Sequence, residues 1–402
     1  MTKILFLADT ATFAHASRSM LLAHVCAELG ATTAIATGAL PDILKNDIKI
    51  PHFNCTTTDP KAFTSRILWG LPPFSRSEIS QGVVQELEIF KQFSPDIVIS
   101  DLRVSTTIAA KIAGIPVIAL TNSYWHDLEQ GRLPEVPLLQ MMKILGVKLS
   151  DRIASMAYPF SEKLILAPIN SVRRAYGLPA ITAFREVFLG GDAIAYCEPL
   201  FLPKKHKHLN VPDHYLGCVS WSARSSATTV FKEGRGIYLS LGSSGSFDAL
   251  PKLIQCVEAL NRPVILSLAG RRYSGKMPSM VQVANFVDPD RVLPSCDLAI
   301  TNGGSPSSLQ ALSHGVPAVG ITTNLDQILC MRRLSTYGAA VSARACDLKP
   351  DALLALCRTV LSETRYREKA KEFQSINSVL NPAKELFALI ANVLRNAAPV
   401  AQ

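Results

Sequence analysis

The sequence predicts an α/β protein made of two Rossmann-like domains facing across a cleft. Three observations predict it. Apolar runs of strand length alternate with helix-length stretches, the alternation occurs twice with a polar break between the two series, and polar or glycine-rich loops follow five of the predicted strands. At 402 residues the chain is too long for one ordinary core and fits two domains of about 200 residues each. With 48% hydrophobic and 18% charged residues it has ample core, which excludes a disordered chain.

The first series opens with a strand at 4–8, then a helix at 17–29, a strand at 33–37 and a long helical stretch at 61–93. A strand at 96–100, a helix at 104–113 stopped by Gly114 and a strand at 116–120 continue it. Residues 131–190 interrupt the rhythm as a mostly helical insertion before a strand at 193–197, so the first domain spans 1–215. A linker at 216–235, rich in Ser and Thr, separates it from a second domain at 236–380. Strands are expected there at 237–241, 264–268, 281–286, 298–300, 318–321 and 340–342, with helices at 248–260 and 327–336 and more through 351–396. Parallel strands joined by helices place ligands beyond their carboxyl ends. The loops at 9–15, 101–103, 122–125, 242–246 and 302–308 therefore converge on one cleft.

Composition narrows the function. No apolar run reaches the roughly 18 to 20 residues of a membrane span, and the opening MTKILFLADT is too short for a signal-peptide core, so a cytoplasmic protein is expected. Nine cysteines without a C-x-x-C pair argue against a disulfide framework or a zinc site. The net charge of +9 is divided as +3 over residues 1–210 and +6 over 211–402, without the concentrated stripe that nucleic acid prefers. A diffuse positive field suits an anionic small substrate, or peripheral association with the inner face of an anionic membrane. WGLPPF at 69–74 and the insertion have the apolar character to admit a lipid, and equally the character of core.

The most informative stretch is DLAITNGGSPSSLQALSHGVPAVGITTNLDQ, residues 297–327. Its strand breaks into Asn302, Gly303 and Gly304, where glycine lets backbone approach a ligand closely. Ser305 reads as an N-cap with Pro306 at the first helical position, and Gly315 supplies the stop. The positive end of that helix, with the hydroxyls of Ser305, Ser307 and Ser308 and no carboxylate in its first turn, suits a diphosphate. Gly242, Ser243, Ser244 and Gly245 form a second such loop. Neither is a G-x-x-x-x-G-K-S/T or a G-x-G-x-x-G loop, which counts against ATPase and dinucleotide readings. At the other side of the cleft, His15 and Asp101 sit at strand ends, a pairing in which a carboxylate orients an imidazole as general base. Tyr124 and Trp125 offer aromatic surface for an apolar acceptor, and Asp326 with Gln327 a group of donors and acceptors suited to sugar hydroxyls. His206 and His208 in KKHKH have no third metal ligand, and Arg271 and Arg272 read as a solvated pair within reach of phosphate.

These residues resemble the GT-B glycosyltransferases, in particular the group of UDP-glucosyl/glucuronosyltransferases and bacterial antibiotic glycosyltransferases. Their donor motif, H-G-G-x-G-T-x-x-E-A-L-x-x-G-V-P followed by D-Q, stands here as NGGSPSSLQALSHGVP and Asp326-Gln327. The resemblance implies an inverting, metal-independent transfer of a hexose from a UDP or dTDP sugar to a hydroxyl of a small molecule or lipid, with no cofactor besides the nucleotide sugar. It implies that Gly303, Gly304, Ser305 and Ser307 hold the diphosphate, Gln310 the ribose, Asp326 and Gln327 the sugar, and that His15 is the base with Asp101 its partner. A final helix at 381–402 is implied to cross back to the first domain. Asn302 replaces the motif His, Gln310 the Glu and Ala14 the Gly before the base. Two alternatives remain at this level: a sugar-nucleotide epimerase of related fold, and a non-catalytic sugar-nucleotide-binding protein.

Overall fold

The computed structural model describes residues 1–203, 211–222, 231 and 236–397. His206 and His208, and most of the predicted linker, lie outside the described residues. The first sheet holds β1 (Lys3–Ala8), β2 (Thr32–Thr37), β3 (His52–Asn54), β4 (Ile97–Asp101), β5 (Val117–Thr121), β6 (Ala193–Tyr196) and β7 (Asp213–Tyr215), in the order β3-β2-β1-β4-β5-β6-β7. The second holds β8 (Gly236–Ser240), β9 (Val264–Ser267), β10 (Val281–Ala284), β11 (Cys296–Thr301), β12 (Ala318–Thr322) and β13 (Ala340–Arg344), ordered β10-β9-β8-β11-β12-β13. Every strand pair is parallel. Each sheet reverses its order beside its first strand, which opens a crevice at the carboxyl ends.

Burial explains why the central strands read as unbroken apolar runs: β4 and β8 are buried at every position because helices cover both faces. Ile4, Phe6, Ile97 and Ile99 pack into one core of the first domain, while Leu5, Leu7 and Val98 pack into another on the opposite face. The last helix, Pro382–Ala397, lays Leu386, Leu389, Ile390 and Val393 into the first of these cores. One expectation needs correcting. The stretch 61–93 is two helices, Pro60–Leu68 and Arg76–Phe93, because Pro72 and Pro73 lie between them and Ser75 starts the second with a capping box to Glu78. The insertion is mostly helical, at Met142–Leu145, Val147–Ala175 and Glu186–Leu189. The edge strands β3 (HFN) and β7 (DHY) have no apolar run to announce them.

Candidate active site

The first half of the site is built on β1, β4 and the helix that follows β1. That helix begins at Phe13, earlier than its apolar spacing suggested, so His15 and Arg18 sit one turn apart on it. His15 Nδ1 lies 2.7 Å from Asp101 Oδ1 at the end of β4. Arg18 grips the same carboxylate with Nε on Oδ2 and with Nη2 on Oδ1 at 2.7 Å. Burial works to raise the Asp101 carboxyl, but Arg18 and then His15 outweigh it and hold the group below its ordinary value. Asp101 is thus an ionised acceptor. Leu102, next in sequence, takes a left-handed backbone conformation at φ 52°, an uncommon state for a branched residue that fixes the turn leaving the carboxylate. Arg18 and its carboxylate clamp went unnoticed in the sequence, where the only signal is a basic residue three positions after His15.

The second half lies after β8 and β11. Helix Ser305–Ser313 has Gly304 as its N-cap, so Ser305 is its first residue and not the cap. Pro306 follows within the first turn, where a missing N–H costs no helix bond. The glycines act differently from the expectation that they hold a diphosphate. The Gly303 N–H donates to Thr301 Oγ1 and the Gly304 N–H to Asn302 Oδ1, both at 3.0 Å, so their donors are spent on the turn itself. Gly303 is required for its backbone, at φ 78°, and for space: a Cβ there would lie 2.8 Å from Met331 Cγ. Asn302 Nδ2 reaches across to Ser244 Oγ at 3.1 Å, which joins the 242–246 loop to the 302–308 loop. Ser243 and Ser244 are exposed, while Ser308 is buried against Thr301 Oγ1 at 3.0 Å and faces no ligand. Arg271 stacks on Phe247 and donates to the Gly245 carbonyl at 2.6 Å, so it shapes this loop instead of standing free. Arg272 is exposed.

The two halves meet directly. Ser305 Oγ donates to Asn122 Oδ1 at 3.2 Å, and Arg18 Nη1 donates to the same oxygen at 3.0 Å. A chain of contacts thereby runs from His15 through Asp101, Arg18 and Asn122 to the helix end at Ser305. Buried Glu198, after β6, accepts from Asn122 Nδ2 at 3.2 Å and from the Ser123 N–H at 2.8 Å, and so orients that bridge. Tyr124 also crosses between the domains, donating to Asp326 Oδ1 at 2.6 Å. Burial raises both groups above their ordinary values, so Tyr124 keeps its proton. The recess between Arg18, Cys218, Ser305 and Pro306 has a volume of about 10 Å³, room for one water.

Three further expectations change. Trp125 offers no surface to an acceptor: it is buried and stacked on Phe188 with ring centroids 3.4 Å apart. Gln327 is a cap residue, its Oε1 accepting from Thr323 N at 2.7 Å, Thr323 Oγ1 at 2.8 Å and Asn324 N, and its Nε2 directed at Ser244. Gln310 spends its Nε2 on Ser222 Oγ (2.9 Å) and Asp290 Oδ1 (2.8 Å), leaving only Oε1 to accept. Ser307 is half-buried in the first turn. Among the described residues no group of His, Cys, Asp and Glu is placed to hold a metal ion.

Two parallel sheets set face to face, with an imidazole–carboxylate pair on one and a Gly/Ser anion loop on the other, define the architecture of GT-B glycosyltransferases. Comparison with known proteins agrees. Residues 252–386 match the family described as the C-terminal domain of erythromycin biosynthesis protein CIII-like proteins. A PGL/p-HBAD biosynthesis glycosyltransferase of Mycobacterium tuberculosis is 28% identical over 376 residues, which is 92% of this chain and 87% of the relative. A PGL/p-HBAD biosynthesis rhamnosyltransferase of Mycobacterium bovis is 29% identical over 374 residues, 92% of this chain and 82% of the relative. The solved structure of the spinosyn rhamnosyltransferase SpnG complexed with thymidine diphosphate superposes with a TM-score of 0.68 at 16% identity, covering 97% of this chain and all of that one. Fold and relatives together support a glycosyltransferase of GT-B architecture and not the epimerase alternative.

Proposed function

We propose that the protein transfers a hexose from a dTDP sugar to a hydroxyl of a small-molecule or lipid acceptor, with inversion at the anomeric carbon. The observation that carries this reading is the contact chain from His15 to Ser305, which sets a candidate base and a candidate diphosphate site on opposite walls of one cleft. With Nδ1 turned to the Asp101 carboxylate, His15 keeps Nε2 for the acceptor. The acceptor hydroxyl gives its proton to Nε2, its oxygen bonds to the anomeric carbon, and the bond from that carbon to the diphosphate oxygen breaks. The leaving charge passes to the positive end of helix Ser305–Ser313 and its serine hydroxyls. One displacement gives inversion.

A dTDP donor is favoured by Gln310. Its single accepting oxygen matches a deoxyribose, which carries one free hydroxyl where ribose carries two. The thymidine diphosphate bound to SpnG supports the same donor class, and the mycobacterial relatives, named as a glycosyltransferase and a rhamnosyltransferase, support sugar transfer. Entry of the donor requires the Ser305–Asn122 and Tyr124–Asp326 contacts to part, since a nucleotide sugar fills several hundred Å³. The test is turnover with dTDP-rhamnose, dTDP-glucose and UDP-glucose against small-molecule and lipid acceptors, with the anomeric configuration of the product read by NMR. A product of retained configuration, or a preference for UDP over dTDP sugars, overturns the corresponding part. Binding of every donor without transfer or hydrolysis selects the non-catalytic alternative.

A further inference from the structure

Helix Val147–Ala175 carries an apolar stripe that no part of the described chain covers. Leu149, Ile153, Met156, Phe160 and Leu164 are all exposed, Met156 by 78% and Phe160 by 75%. Their spacings of four, three, four and four residues put them on one helix face. Ile144 on the preceding short helix is 78% exposed, and Trp69 on the WGLPPF turn 60%. The Gln140 N–H donates to the Leu68 carbonyl at 2.8 Å, which ties that turn to the segment leading into these helices and extends the patch.

A basic rim runs along the stripe. Lys148, Arg152 and Lys163, spaced by four and eleven residues, line one edge, all three exposed and none in a salt bridge among the described residues. The acidic residues of the helix face the other way. Asp151 is held by Arg344 of β13 through two bonds of 2.9 Å, and Glu162 is buried, accepting from Gly131 N and Phe184 N. The surface is therefore apolar along its crest and positive at its side.

We infer that this face docks the protein on an anionic lipid bilayer, lying in the interface without spanning it. No described helix is long and apolar enough to cross a membrane, whereas exposed Phe, Leu and Met beside Lys and Arg, with a nearby Trp, suit the headgroup boundary. A second copy of the chain fits less well. Two-fold pairing of the stripe brings like-charged rims together, and Pro159 interrupts the helix ladder in the middle of the would-be seam. Position adds purpose. The insertion leaves the first sheet after β5 and returns to β6, and the Asp151–Arg344 pair fixes its start against the second domain, beside the cleft. A lipid-borne acceptor would enter from the membrane side. That delivery step rests on the transfer reading above, while docking itself does not.

The test is flotation of the full chain with vesicles of phosphatidylcholine, alone or mixed with phosphatidylglycerol, and no sugar donor present. The protein is expected to float with the mixed vesicles. Met156→Asp with Phe160→Asp lowers partitioning by at least about tenfold, through loss of the apolar crest. Arg152→Ala and Lys163→Ala each lower it about fivefold on mixed vesicles only, an effect that salt abolishes. Melting temperature and turnover of a water-soluble acceptor stay unchanged in all variants, and Met156→Ser with Phe160→Ser replaces the aspartates if they disturb folding. No flotation of the unaltered protein, flotation indifferent to the crest variants, or a solution dimer that those variants dissociate would each overturn docking. Loss of docking with intact turnover, or intact docking without turnover, separates this inference from the proposed function.

Discussion

Replacing His15 by alanine tests the base assignment quantitatively. The imidazole is 17% exposed and its one short contact is the 2.7 Å bond to Asp101, while the carboxylate keeps Arg18 at Nε and Nη2 after truncation. The fold therefore loses about 1 to 2 kcal/mol, the scale of one hydrogen bond to a charged partner. Transfer loses far more. General-base removal costs about 100- to 10,000-fold, or about 3 to 5 kcal/mol of barrier. Among the described residues His15 makes no bond to the second domain, so the affinity for dTDP holds within about twofold. The assay is kcat on two acceptors of the same size, an aliphatic alcohol and a nitrophenol that is already largely ionised near neutral pH. The alcohol suffers the full loss; the nitrophenol, whose proton is gone before attack, loses only about tenfold or less. A loss below about tenfold on the alcohol, or equal losses on both acceptors, refutes His15 as base.

Arg18→Met leaves the buried Asp101 charge without its main counterion and is expected to cost about 3 to 5 kcal/mol in urea denaturation. Because the folded Asp101 value is depressed, the stability it contributes is present above its ordinary value and is lost as pH falls through the folded one; the gap between Arg18→Met and the unaltered protein therefore narrows in acid, and a gap constant from pH 7 to pH 3 counts against the clamp. Gly303→Ala forces a Cβ into a φ of 78° and against Met331 and Thr322, at a cost of about 1 to 3 kcal/mol, with the thermal shift by dTDP reduced; an unchanged shift would show that the turn can move without harm. Tyr124→Phe leaves buried Asp326 without its donor in the closed cleft, which favours opening, so dTDP without a sugar binds up to about tenfold tighter by calorimetry; weaker or unchanged binding would mean that this contact does not hold the cleft shut.

How far the sequence carries depends on whether a feature is encoded locally. The central strands were legible because a strand buried on both faces writes itself as an unbroken apolar run, as in IVISD and GIYLS. The glycine turn at 302–304 was legible because its backbone admits few other residues. Edge strands β3 and β7 were not, since one ladder and little burial leave composition unconstrained. Trp125 shows the limit for side chains: only the insertion's return past Phe188 turns an apparent acceptor platform into core. Arg18 shows it again. A basic residue on a helix is ordinarily solvated, and this one is buried only because β4 delivers Asp101 beside it.

The residues the motif assigns to the donor are engaged with one another in the closed cleft. Ser305 holds Asn122, Asp326 holds Tyr124, Gln310 holds Asp290, and Gln327 holds its own helix start. A motif records which groups a ligand meets, and these groups must also be satisfied when the ligand is away, because each is polar and buried or half-buried. Under the proposed function, donor affinity is the difference between two hydrogen-bonded states, and Asn122, Tyr124 and Glu198 on the opposite domain enter it through these contacts. Substitution at Asn302 or Gln310 changes both states at once. Asn302, which bonds both Ser244 and the Gly304 N–H, joins the 242–246 loop to the 302–308 loop, so its replacement disturbs both at once.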